Sequence, residues 1–191
     1  MSPLISLSIF LVAMQNKRNN KLKEQELHYV DNSCIELYAE EAKMSQYLGN
    51  IKQVLKSENA RMKNSPFKSE EVINLDEYER FLAKKHKCEQ ENTVDCVAGL
   101  GKRSLLMIEM KFNVKTLNMK NVAKSVRDKF NSSLPKLRCS PNFRCLDKVV
   151  ILLSDKNFET QKSGLKKSLN MDNKFEILKV KEFYDKYFCK Y

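Results

Sequence analysis

The sequence predicts an α/β protein with a helical N-terminal segment, and three observations point there. Hydrophobic residues make up 42% of 191, with ten Phe and seven Tyr, enough for one domain with a real core. Apolar residues recur at helical spacing up to about residue 86 and at strand spacing over residues 92–100 and 104–114. Residues 148 to 154 (KVVILLS) then form a near-continuous apolar run, the pattern of a strand buried on both faces.

Residues 1–14 contain the apolar stretch PLISLSIFLVAM, which is too short to span a bilayer. Lys17, Arg18, Lys21 and Lys23 follow it, which is the wrong polarity for a secretory signal. This segment is therefore set apart from the fold. In residues 15–69, Ser33-Cys34-Ile35-Glu36 has the form of a capping box. Apolar positions at Ile35, Tyr38, Ala42, Leu48, Ile51 and Leu55 predict one long helix, broken at Asn64-Ser65-Pro66.

Residues 70–191 read as the main domain. Asn74 caps a helix carrying Leu75, Tyr78 and Leu82 to about His86, and a short strand is expected at residues 87–91. Strands at 92–100 and 104–114 flank a turn around Gly99 to Lys102, which predicts a hairpin. Met119, Val122, Ala123, Val126 and Phe130 predict a helix ended by Pro135. The strand at 148–154, a helix at 159–169 and a strand at 175–180 come next. A last helix is striped by Phe183, Tyr184, Tyr187, Phe188 and Tyr191. Strands alternating with helices in this way predict an α/β or α+β sheet.

Composition excludes several chemistries. The four glycines form neither a dinucleotide-binding G-x-G-x-x-G nor a P-loop, and His28 and His86 are the only histidines. The six cysteines include no C-x-x-C pair, which argues against zinc. Cys34 and Cys96 lie in apolar patterns and predict small buried hydrophobes in a reducing, cytoplasmic compartment. Cys139 and Cys145 are the only pair close enough to suggest a disulfide, and free thiols are expected throughout.

The net charge of +11 is confined to one half of the chain. Residues 1–91 hold fourteen basic and fourteen acidic side chains, so all eleven excess positive charges fall in residues 92–191. That asymmetry predicts a polyanionic partner, with nucleic acid ahead of a membrane surface. Lys120, Lys124 and Arg127 fall at i, i+4 and i+7 on the 119–130 helix and are the candidate phosphate contacts. Lys136, Arg138, Arg144 and Lys148 form a second basic group.

The hairpin carries the chemistry. If it turns about residue 102, facing positions sum to 204. Val94 then faces Met110, Cys96 faces Ile108 and Ala98 faces Leu106, making one wholly apolar side. On the other side Asp95 falls opposite Glu109, with Cβ atoms about 4.5–5.5 Å apart. Val97 and Met107 share that side, which predicts a helix covering it and leaves the carboxylates at the rim of a buried surface. Two like charges there call for a cation between them, and Mg²⁺ or Mn²⁺ suits one or two carboxylates with waters and phosphate oxygens. Lys111 projects from the same side roughly 7 Å further along the strand. The E-x-K tripeptide alone is uninformative, since it recurs at Glu41-Ala42-Lys43. Its setting in the hairpin is what gives it weight.

Asp95, thirteen intervening residues and then Glu109-x-Lys111 across an apolar hairpin resemble the PD-(D/E)xK nuclease superfamily. The resemblance covers roughly residues 70–180. It implies a restriction-endonuclease-like mixed sheet flanked by helices, in which a helix precedes a three-stranded meander and a helix and strand follow it. It further implies an Mg²⁺- or Mn²⁺-dependent endonuclease acting on nucleic acid, DNA foremost. Asp95 and Glu109 would be the metal ligands and Lys111 the catalytic lysine. Val94 stands where the family has proline. An additional glutamate that some members carry on the first helix would be Glu77 or Glu79. Pairing of two copies would suit cleavage of both strands. The alternative is a non-catalytic nucleic-acid-binding or protein-interaction module with the same fold.

Overall fold

Asp31 begins the first helix: its carboxylate accepts a hydrogen bond from the Ser33 amide at 3.0 Å, and α1 runs over Asn32–Glu41. The computed structural model describes residues 29–58, 60, 65–101, 103–114 and 118–189. Residues 1–14 and the start of the 15–69 segment lie outside these.

The long helix expected from residue 35 to 55 is divided. Lys43 takes a left-handed conformation (φ 58°), a 3₁₀ turn follows at Ser45–Tyr47, and the chain continues into strand β1 (Leu48–Asn50). Asn50 then caps α2 (Ile51–Ser57), accepting from the Lys52 amide at 2.8 Å. The six-residue gap between Ala42 and Leu48 matches no helical step, which is the physical reason for the break.

Strand β2 (Glu71–Asn74) leads directly into α3 (Leu75–His86), where Asn74 accepts from the Glu77 amide at 3.0 Å as the sequence predicts. The strand expected at residues 87–91 is absent. Lys87 ends α3 in a left-handed conformation (φ 53°), and an exposed connection leads on to the hairpin. The meander takes its first strand from β2, upstream of α3.

The hairpin pairs β3 (Cys96–Leu100) with β4 (Ser104–Lys111) in the expected register: Cys96 with Ile108, Val97 with Met107 and Ala98 with Leu106. Helix α4 (Met119–Leu137) runs past Pro135, which sits in its last turn. That turn is held by tertiary contacts. Leu137 is buried, its carbonyl accepts from the Tyr38 hydroxyl at 3.2 Å, and Lys136 pairs with Glu79 at 2.9 Å. The chain closes with β5 (Arg144–Leu153), α5 (Phe158–Ser168), β6 (Phe175–Lys179) and α6 (Val180–Tyr187).

The six strands form one mixed sheet in sequence order. Neighbours are antiparallel from β1 to β4 and parallel from β4 to β6. One face carries Val97, Met107, Ile151 and Ile177 under α1, α4 and α5; the other carries Cys96, Ile108, Val150 and Leu152 under α2 and α6. Val149 to Leu153 are buried throughout, as a strand covered on both faces requires. The protein is therefore α/β, a six-stranded mixed sheet with helices on both faces. Residues preceding 70 share this sheet: β1 extends it, and Cys34, Ile35 and Tyr38 pack into its core. Gly99 allows that packing, because a Cβ there would lie 2.6 Å from the Ile35 amide nitrogen. Among the described residues no helix is long and apolar enough to cross a membrane.

Candidate active site

Asp95 lies one residue outside the β3 ladder, and three contacts fix it there. Its carbonyl accepts from the Leu75 amide at 3.1 Å, which ties it to the start of α3. The neighbouring Val94 amide donates to Ser133 Oγ on α4 at 2.9 Å. Its own Oδ2 accepts from the Met110 amide at 2.6 Å, so a side-chain carboxylate closes the ladder beyond the last backbone pair. The other oxygen, Oδ1, is left facing the covered side of the sheet.

Glu109 comes to the same place from β4. It is fully buried, beneath α4, two residues beyond Met107 on the same face and paired with Ile151 of β5. The expected like-charge pair therefore exists, and a cation stands between its members, supplied by the chain itself. Lys129 of α4 places Nζ 2.8 Å from Asp95 Oδ1, 3.0 Å from Glu109 Oε1 and 3.1 Å from Glu109 Oε2. Lys111, at the end of β4, reaches Glu109 Oε1 at 2.5 Å from the rim, with 21% of its side chain exposed.

Two carboxylates and two ammonium groups thus balance within one buried cluster. Burial pushes the Glu109 carboxyl up, to about 7; Asp95 raises it further, while Lys111 and Lys129 pull it back. For Lys129, burial works against the ammonium, but the charges of Glu109 and Asp95 outweigh it and hold the proton above lysine's ordinary range. Glu58, which ends α2, also senses the cluster. Burial raises its carboxyl first and Asp95 next, against Lys129 and Lys111.

The remaining sequence candidates divide. Lys120 and Lys124 are exposed on α4. Arg127 is half-buried and donates to the Ser168 carbonyl at 2.7 Å, where a cation complements the C-terminus of α5. Its guanidinium thus has a structural partner. Lys136 bridges Glu79 and Glu91, and Lys148 pairs with Glu176 at 2.7 Å, so half of the second basic group is engaged. Glu79 sits in the ion pair with Lys136, and Glu58 is a carboxylate that the charge of Asp95 reaches.

Sequence reasoning passed over Lys129. Its signal was its position three residues after Val126 and four before Ser133, both buried, which puts it at the border of the helix's covered stripe. A lysine there carries its stem along apolar surface and its head to whatever acid the sheet presents.

The donor set fits a small hard cation. Asp95 Oδ1 and both oxygens of Glu109 converge on one point, and Glu109 Oε1 is buried with ammonium contacts but no well-aligned hydrogen bond. Among the described residues no three or more His, Cys, Asp or Glu side chains come together as a metal cage. The protein would thus offer two carboxylates and leave other positions to water and phosphate, as Mg²⁺ accepts. The chain matches no known protein family, characterised protein or solved structure.

Proposed function

We propose that this protein is a metal-dependent nuclease of the restriction-endonuclease-like class, hydrolysing phosphodiester bonds in nucleic acid, with DNA the first substrate to test. One observation carries the reading: Asp95, one residue before β3, and Glu109 of the antiparallel β4 are both buried and converge with Lys111, two residues along at the rim. Supporting it in part is the element order: β3 and β4 bear the acid and E-x-K and are followed by α4 and β5, while α3 precedes this hairpin and separates it from β2. A cytoplasmic setting and pairing of two copies belong to the same proposal.

In this reading Asp95 and Glu109 hold a Mg²⁺ or Mn²⁺ ion, which when bound polarises a phosphoryl oxygen and acidifies a water. Asp95 is preorganised because its second oxygen is committed to the Met110 amide, which fixes its plane. Glu109 is oriented by the strand and shielded from bulk water, so its charge acts in a low dielectric. Lys111, partly exposed beside Glu109, would stabilise negative charge developing on the phosphate. Lys120 and Lys124 would meet phosphates outside the site.

A second reading, a binding module without catalysis, has its own support: the two lysines already neutralise both carboxylates. The full-length protein should be incubated with plasmid, linear and single-stranded substrates in Mg²⁺ or Mn²⁺, beside Glu109→Ala and Lys111→Ala. The nuclease reading expects cleavage abolished by chelator and reduced at least about 10²-fold in each variant. Binding without cleavage under every metal condition would favour the second reading, and cleavage in excess chelator would refute the metal.

A further inference from the structure

We infer that Lys129 is the resident cation of the carboxylate pair, and that a divalent ion entering the site has to displace it. This rests on the metal-dependent reading above and adds a competitor to it.

The geometry separates the two lysines. Lys111 pairs with Glu109 Oε1, whereas the Lys129 ammonium contacts Asp95 Oδ1 at 2.8 Å and both Glu109 oxygens at 3.0 and 3.1 Å. It therefore occupies the convergence point of the donor set, so an ion held by Asp95 Oδ1 and Glu109 together would take the place the Lys129 ammonium fills. Charge leads to the same result. Asp95 and Glu109 are neutralised by Lys111 and Lys129 together, so adding a divalent ion with both ammonium groups in place would leave two uncompensated positive charges in a buried cluster.

The way out is also built. The root of Lys129 is fixed: it lies between buried Val126 and Phe130, and its carbonyl accepts from Ser133 Oγ at 2.7 Å. Its side chain is 14% exposed, so the head can leave while the helix stays seated. Four methylenes keep the displaced ammonium beside the cluster, where a phosphodiester would give it a new anionic partner. Metal alone is then bound weakly, because each ion taken up costs the two buried ion pairs that Lys129 makes with Asp95 and Glu109.

The test measures Mn²⁺ binding to the full chain by electron paramagnetic resonance, at fixed pH and salt. Wild type, Lys129→Met and Lys129→Arg are compared, with thermal melts in chelator and in Mn²⁺. Lys129→Met should bind Mn²⁺ at least about tenfold more tightly than wild type, the modest end of what an uncompensated buried charge implies. Lys129→Arg keeps a cation and should stay near wild type. In chelator Lys129→Met should melt lower than wild type, and Mn²⁺ should restore most of the difference. Equal or weaker Mn²⁺ affinity in Lys129→Met overturns the inference while the metal reading stands. A Lys129→Met protein that stays unfolded in excess Mn²⁺ overturns it too, because metal then cannot stand in for the ammonium. Absence of Mn²⁺ binding in all three proteins removes the metal reading and this inference with it.

Discussion

Replacing Asp95 in two ways separates its structural work from its chemistry. Oδ2 accepts the Met110 amide at 2.6 Å, and Oδ1 meets the Lys129 ammonium at 2.8 Å. Asp95→Asn keeps an oxygen for the amide and loses the charge; Asp95→Ala loses both. Each removes one counterion of Lys129 while Glu109 remains, so the shared cost falls below the about 3–5 kcal/mol of breaking a buried ion pair outright. Alanine additionally leaves the Met110 N–H buried without an acceptor, which costs about 1–3 kcal/mol. That increment is the expected difference between the two variants. For a chain of this size it is a gap in Tm of roughly 2–12 °C, at about 2–4 °C per kcal/mol. Urea denaturation followed by two probes gives the free energies, and thermal melts give the second reading. Both variants should lose at least about 10²-fold in cleavage rate, since neither supplies the charge. If asparagine and alanine destabilise equally, the amide contact contributes nothing. If Asp95→Asn cuts DNA at the wild-type rate, the assignment of the carboxylate fails.

Other perturbations probe the frame around the site. Gly99→Ala places a Cβ 2.6 Å from the Ile35 nitrogen and 3.0 Å from the Asp31 carbonyl, backbone atoms that cannot rotate away; about 1–3 kcal/mol of stability should be lost in urea unfolding, and an unchanged midpoint would mean α1 is not seated there. Burial opposes ionisation of Glu176, but hydrogen bonds from Lys148, Lys186 and Tyr187 outweigh it and pull its carboxyl down to about 2. A depressed carboxylate stabilises the fold above its unfolded pKa and loses that effect as pH falls through the folded one. Glu176→Gln should therefore cost on the order of 2–3 kcal/mol at neutral pH, and the deficit should close between about pH 4.5 and 2; a deficit that persists at pH 2 would refute the ion pairing. Lys120→Ala with Lys124→Ala should flatten the slope of log K against log salt on duplex DNA by about 1.8. Arg127→Ala should instead lower the melting temperature, since its guanidinium holds the end of α5; the reverse pattern would reassign these residues.

The hairpin was the most legible part of the chain. Alternation fixed which residues share a side, and a connection of three residues between Leu100 and Ser104 left little freedom in register, so Cys96 meets Ile108 as the spacing requires. The helix start at Asn74 followed local chemistry, whereas the box read at Ser33 lies inside α1, which Asp31 caps two residues earlier. Edges were harder to read. β1 has three residues and β2 four, too short for an alternation to stand out, and both are recognisable only through their partners. At residues 87–91 a polar run permits extended backbone, but the left-handed turn at Lys87 sends the chain away from the sheet. Lys129 was missed for a related reason: a lysine among many reads as solvated until the acids on the sheet below it are placed.

The bridge made by Lys129 ties together segments that would otherwise form at different times. A hairpin of this length can close on its own within about 1–10 μs. Closing it alone brings Asp95 and Glu109 together with only the rim ammonium of Lys111 nearby. Their repulsion is relieved when α4 docks and delivers Lys129 from twenty residues beyond Glu109. The hairpin and its crossover helix are thus expected to become stable in one kinetic event. Substitutions at Val126 or Phe130, on the buried stripe of α4, should then slow folding as much as substitutions in the hairpin do.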